Sequence, residues 1–162
     1  MQLEQILAPD SCHCVLSGSS KKRILKTASE LISANANQLE ADEIFYALMA
    51  REQLGSTGLG EGIAIPHCRV TQCQDIVGTL ITLETAVDFD TPDGKPVDIL
   101  FVLIVPELQH NEHIKALAGL AELFNDKDFC QSLRDTRTAE DMYKLAINYW
   151  GANNGQVASV TG

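Results

Sequence analysis

Basic side chains are scarce in this 162-residue chain: 12 Lys and Arg stand against 22 Asp and Glu, a formal net charge of −10. With a sequence pI near 4.7, that balance argues against a protein that works by holding nucleic acid or anionic lipid, because phosphate backbones must be met by Lys and Arg. No stretch approaches the ~20 apolar residues of a membrane-spanning helix. The first twenty residues carry neither a basic nor an apolar leader region. Cytoplasmic location without membrane insertion is the expectation. Among Cys12, Cys14, Cys68, Cys73 and Cys130 there is no C-x2-C pair, so the spacing of a structural zinc site is missing. Their odd number, in a chain large enough to need no disulfide framework, makes reduced thiols the default. Neither G-x-S-x-G nor H-E-x-x-H occurs, and hydrolase chemistry has little support.

What is present suits one compact domain: 45% of the residues are hydrophobic. Apolar spacing predicts a helix over Ser20 to Ser33 and a second over Glu40 to Leu54, which Gly55 stops. Gly62 to Cys68 reads as a strand with His67 at its carboxyl end. Ile76 to Leu83 reads as another strand, and Val87 to Phe89 with Val97 onward as a hairpin closed by Thr91-Pro92-Asp93-Gly94. Ile99 to Val105 is seven apolar residues in a row, the mark of a strand covered on both faces. Helices over Asn111 to Phe124 and from Thr138 to near Trp150 follow. The order predicts an α/β fold: a mixed sheet of about five strands, helices on both faces, a single domain over residues 1–150. Gly151 to Gly162 is a poor core former and is expected to be a flexible tail.

The sharpest local feature is Gly55-Ser56-Thr57-Gly58-Leu59-Gly60-Glu61-Gly62, four glycines in eight residues leading into Ile63-Ala64-Ile65-Pro66-His67. Such a loop can turn backbone N–H groups toward an anion. The glycines precede a strand, and no Lys follows to meet a β-phosphate, so nucleotide binding is disfavoured. Of His13, His67, His110 and His113, two converge: His67 ends a candidate strand, and His113 opens the helix that follows another. Arg51 ends its helix four residues ahead of the glycine loop. A cation caps a helix end favourably there, and its guanidinium could also grip a phosphate bidentately. Three features stay open: the basic triplet Lys21-Lys22-Arg23, the acidic run from Glu84 to Glu112, and Cys68, whose thiol could block His67 if oxidised.

The run Arg51-Glu52-Gln53-Leu54-Gly55-Ser56-Thr57-Gly58 through Gly62-Ile63-Ala64-Ile65-Pro66-His67 resembles the active-site signature of type-2 enzyme IIA proteins of the bacterial phosphoenolpyruvate phosphotransferase system. The chain is most similar to the nitrogen-related branch, from Ser20-Lys21-Lys22-Arg23 to Ala86-Val87-Asp88-Phe89-Asp90 and Pro96-Val97-Asp98, over roughly residues 1 to 150. The resemblance implies that His67 takes a phosphoryl group on Nε2 from the phosphohistidine of an HPr-type carrier, in its nitrogen-branch (NPr) version. His113 would then hydrogen-bond the phosphoryl oxygens and Arg51 would be their charge partner. Ser56 and Thr57 match the phosphate-binding loop by position. No cofactor, nucleotide or metal is implied, and the expected partners beyond the donor are regulatory targets related to nitrogen and potassium. Cys68 departs from the pattern, where a less reactive residue is expected. The chain contains no cysteine-bearing IIB region and no membrane IIC segment, so onward transfer to a sugar is not expected. Two alternatives stand beside the regulatory phosphocarrier. One is a fructose- or mannitol-type IIA passing phosphate to a separate IIB; the other is a binding module whose His67 does not turn over.

Overall fold

In the computed structural model, residues 1–108 and 110–155 are described. The seven-residue apolar run lies in the central strand, β6 (Val97–Pro106), and successive side chains there enter opposite cores. Ile99, Phe101, Leu103 and Val105 join one cluster, and Leu100, Val102 and Ile104 join the other. That period-2 split is what a strand covered on both faces requires. Each fully buried large apolar side chain contributes roughly 1.5–3 kcal/mol, so β6 is the spine of both cores.

Around it the order is β1 (Cys12–Leu16), α1 (Lys21–Asn35), α2 (Ala41–Gln53), β2 (Gly58–Gly60), β3 (Ile63–Ala64), β4 (His67–Val70), β5 (Val77–Val87), β6, α3 (His110–Phe124), α4 (Lys127–Asp135) and α5 (Ala139–Trp150). The sheet runs β1-β5-β6-β3-β2, with β4 also pairing β6. β5 is antiparallel to β6, whereas β3 and β4 are parallel to it and β1 is parallel to β5. Ile24, Leu25, Ala28 and Ile32 of α1 and Ile44 and Leu48 of α2 pack on one face. Leu120 and Leu123 of α3, Phe129 and Leu133 of α4, and Met142 and Trp150 of α5 pack on the other. The chain is thus a single α/β domain with a mixed sheet between helical layers.

Three elements go beyond the sequence reading. β1 has little strand character in Cys-His-Cys, and its Val15 sits at φ 56; it is a strand because distant β5 offers it a parallel edge, Cys12 beside Leu80. β2 is a three-residue strand in the glycine loop, paired antiparallel with β3. α4 had a legible start, since Asp126 accepts from Phe129 N at 3.1 Å and Phe129, Cys130 and Leu133 form its buried stripe. The segments read as a strand and a hairpin arm are one strand, β5, with a register irregularity between Thr82 and Val87. Gly151–Gly155 continue α5 as a π-helical turn. The remainder of the expected tail, 156–162, lies outside the described residues.

One correction bears on the site. His67 does not end a continuous strand; it opens β4 after a break at Ile65-Pro66. Pro66 has no N–H to give a ladder. The Ile65 N–H turns away to the Thr57 carbonyl (3.1 Å), while the Pro66 carbonyl still accepts from Leu103 N (2.9 Å). The chain stays tethered to β6 across the kink, and the kink presents His67.

Candidate functional site

The last turn of α2 and the glycine loop build one wall. Arg51 closes the helix by donating from Nη1 to the Gly55 carbonyl, 2.8 Å away. The next residue, Glu52, points inward with its side chain 3% exposed and pairs with Lys21 Nζ at 2.9 Å. Glu52 also accepts from Thr57 N (3.3 Å) and from the Thr57 hydroxyl. Ser56 Oγ donates to the Phe89 carbonyl at 2.7 Å and accepts from Gly58 N at 3.1 Å. Both hydroxyl protons of the loop are therefore spent within the protein. Gly60 and Gly62 have φ of +90° and +85°, a region L-residues avoid. This is a shaped turn.

His67 is half-buried at the head of β4. Its Nδ1 lies 2.8 Å from the Ile65 carbonyl. A carbonyl can only accept, so Nδ1 carries the proton of the neutral ring and Nε2 holds the lone pair. Burial lowers the His67 pKa below the ordinary 6.5, opposed by the Ile65 hydrogen bond; Arg51 lowers it further, Glu52 raises it, and His113 lowers it. The net direction is down, so the ring is neutral near pH 7. Arg51 of α2 and His113 of α3, named from sequence alone, are thus each brought within electrostatic reach of His67 on β4. A neutral imidazole with a fixed tautomer can act as a nucleophile through Nε2, and a nearby arginine favours negative charge beside it.

Residues 5–149 match the family described as "Phosphoenolpyruvate-dependent sugar phosphotransferase system, EIIA 2". The chain belongs to this family. It is 43% identical over 156 residues to a Nitrogen regulatory protein of Pseudomonas aeruginosa, covering 96% of this chain and 99% of that one. To a Nitrogen regulatory protein of Escherichia coli it is 38% identical over 152 residues, 93% of each. The crystal structure of Nitrogen Regulatory Protein IIA-Ntr from Neisseria meningitidis superposes with a TM-score of 0.84 at 38% identity, covering 89% of this chain and 98% of that one. The IIA mannitol structure from Escherichia coli, at 20% identity and a TM-score of 0.73 over 86% and 98% of the two chains, shares the fold. The chain is therefore a phosphotransferase-system EIIA type-2 protein whose relatives include nitrogen regulatory proteins.

Several features of the sequence find other employment in this EIIA domain. Lys21 is no solvated charge: besides Glu52 it reaches the Phe89 carbonyl at 3.3 Å and lies 5.2 Å over the Phe89 ring. The acidic run is partly structural, since Asp98 pairs with Arg134 at 2.9 Å and Asp93 accepts from Glu61 N at 2.9 Å and Lys95 N at 3.1 Å. Cys68 packs among the α1 and α2 side chains, and burial pushes its thiol up to about 12, which leaves little thiolate to oxidise. His13 lies on β1 with Nε2 buried, and the side chains of His110 and Glu112 lie outside the described residues. Glu52 and Phe89 were missed as site elements. The signal for Glu52 was its place four residues after Leu48 and eight after Ile44, on the buried stripe of α2. No helix among the described residues is long and apolar enough to cross a membrane.

Proposed function

We propose that the protein is a phosphoryl carrier of the nitrogen-related phosphotransferase branch and regulates partner proteins according to its phosphorylation state. The observation that supports this most is the His67 Nδ1 to Ile65 carbonyl hydrogen bond, 2.8 Å, which leaves the Nε2 lone pair available. The Nε2 lone pair attacks phosphorus on the phosphohistidine of an HPr-type donor. A new N–P bond forms as the donor's N–P bond breaks, and the donor imidazole recovers its electron pair. His67 keeps its Nδ1 proton, so the phosphorylated ring carries positive charge beside a phosphoryl dianion. Arg51, which caps Gly55 in the resting state, is the cation that pairs with the dianion, and His113 donates a second hydrogen bond. Ser56 and Thr57 shape the loop around it. Little else is needed, because phosphoryl transfer depends on positioning and charge stabilisation. The phosphoryl dianion, partly offset by the positive ring, adds about one net negative unit, which changes which surfaces the acidic protein accepts, and nitrogen- and potassium-related proteins are the expected targets.

The test is intact mass after incubation with phosphoenolpyruvate, enzyme I and an HPr-type carrier of either branch. One acid-labile phosphoryl group, absent from His67→Ala, is expected. No gain in mass with either donor would leave the binding-module reading. Transfer onward to an added IIB protein would instead favour a sugar-specific IIA.

A further inference from the structure

The basic triplet at the head of α1 has one member that the reading above leaves unused, and the hydrogen bonds lead from it to His67. Lys21 Nζ meets Glu52 Oε1 at 2.9 Å. Glu52 takes both the backbone N–H and the hydroxyl of Thr57. The Thr57 carbonyl accepts from Ile65 N at 3.1 Å, and the Ile65 carbonyl meets His67 Nδ1 at 2.8 Å. The chain Lys21–Glu52–Thr57–Ile65–His67 is continuous and links α1, α2, the glycine loop and the kink ahead of β4. Glu52 is 3% exposed and Lys21 16%. An ion pair so withdrawn from water is not explained by surface stabilisation, and a buried pair often adds less stability than an apolar replacement would.

We propose that Glu52, with its charge compensated by Lys21, is a positioning residue for His67. It fixes the Thr57 and Ile65 peptides that hold the Nδ1 proton, and it sets a negative charge behind a ring that becomes positive when Nε2 takes a phosphoryl group. This rests on the phosphoryl-carrier reading and assigns it an internal counter-ion. Two charges of opposite sense then serve the two halves of the phosphohistidine: Glu52 the ring, Arg51 the phosphoryl oxygens. Their adjacency at the end of α2 aims one side chain inward and the other at the loop. The direction in which each group moves the His67 titration agrees: Glu52 favours the charged ring, whereas Arg51 and His113 oppose it. Lys21 joins the two helical elements of one layer to the site, which gives this member of the triplet a purpose at an otherwise unfavourable helix start.

The experiment compares wild type with Glu52→Gln, a shape-conserving loss of charge, and with Glu140→Gln, which removes the exposed partner of Lys144 on α5. Two quantities are read. One is the His67 ring titration by 15N–1H NMR in the unphosphorylated protein; the other is the rate of phosphoryl acceptance from the HPr-type carrier. In Glu52→Gln the titration is expected to move to lower pH and the acceptance rate to fall about 10- to 100-fold, as for a misplaced reacting group. Glu140→Gln should match wild type in both. A folded Glu52→Gln protein with an unmoved titration and a rate within about twofold of wild type would overturn the positioning role. If wild type accepts no phosphoryl group, the carrier reading fails, and the titration alone still decides whether Glu52 acts on His67. Should Glu52→Gln not fold, Thr57→Val removes the hydroxyl donor and keeps both charges. A lowered acceptance rate then supports the relay and an unchanged one overturns it.

Discussion

Gly62→Ala is the perturbation whose cost can be worked most directly from the structure. Gly62 has φ +85°, and an alanine Cβ there would lie 2.9 Å from Arg134 Nη2, 3.0 Å from Asp98 Oδ1 and 3.5 Å from the Pro96 carbonyl. The left-handed backbone alone costs an L-residue roughly 1–2 kcal/mol. The two closest atoms cannot simply swing away. Arg134 Nε is paired with Asp98 at 2.9 Å, and its Nη2 donates to the Glu61 carbonyl at 3.0 Å. Prying such a contact apart adds roughly 1–3 kcal/mol, for a total of about 2–5 kcal/mol. At a urea slope of about 2 kcal/mol/M, the midpoint should drop by about 1–2.5 M. Gly94→Ala is the control: φ there is +72°, but nothing lies within 4 Å of the added Cβ. Only the backbone part should be lost, about 1–2 kcal/mol. Equal losses in the two variants would refute the packing argument, because the conformational part is common to both. The position matters for function, since the Gly62 carbonyl accepts from Asp98 N and Ile99 N at 3.0 and 3.1 Å and so sets β3 against β6 just ahead of His67.

Three further outcomes are expected. Arg51→Ala removes a cation that lowers the His67 pKa, so the ring should titrate at higher pH by NMR, and phosphoryl acceptance should fall at least about tenfold; an unmoved titration would separate Arg51 from the site. If Nε2 is the proposed phosphoryl acceptor it must act unprotonated, and with the His67 pKa lowered from 6.5 the acceptance rate should be at its plateau near pH 7 and be lost as pH falls through that lowered value. A half-maximal rate at or above pH 6.5 would contradict the neutral-ring reading. Alkylation of the native protein, followed by peptide mass analysis, should modify half-exposed Cys14 well before buried Cys68, and the reverse order would reopen oxidation of Cys68 as a control on His67.

Long periodic elements were legible in the sequence because their signals are local. The stripe of Ile24, Leu25, Ala28 and Ile32, the apolar run from Ile99, and the cap at Thr138, whose side chain accepts from Asp141 N at 3.1 Å, each specify structure within a few residues. β1 was not legible, because its partner lies some 67 residues away in β5 and its own composition says nothing of an edge. The continuity of β5 was hidden for a similar reason: Glu84 and Thr85 interrupt the apolar alternation, yet pairing with β6 carries the strand through to Val87. The break at Pro66 was half-legible. Proline announces extended backbone at Ile65, but only the ladder of β6 shows that the chain leaves and rejoins the sheet around it.

By itself the sequence determined the fold class and the family, and it singled out Arg51, His67 and His113 as candidates, since apolar period and motif order are properties of neighbours along the chain. Tertiary structure alone decided how those side chains are held. Which nitrogen of His67 bears its proton depends on where the Ile65 carbonyl points. Whether Lys21 is a surface charge or the partner of Glu52 depends on the packing of α1 against α2. Whether Ser56 and Thr57 have hydroxyl protons to offer depends on Phe89 and Glu52 arriving beside them. The directions in which these groups point and the burial around them are set when the sheet and its two helical layers close.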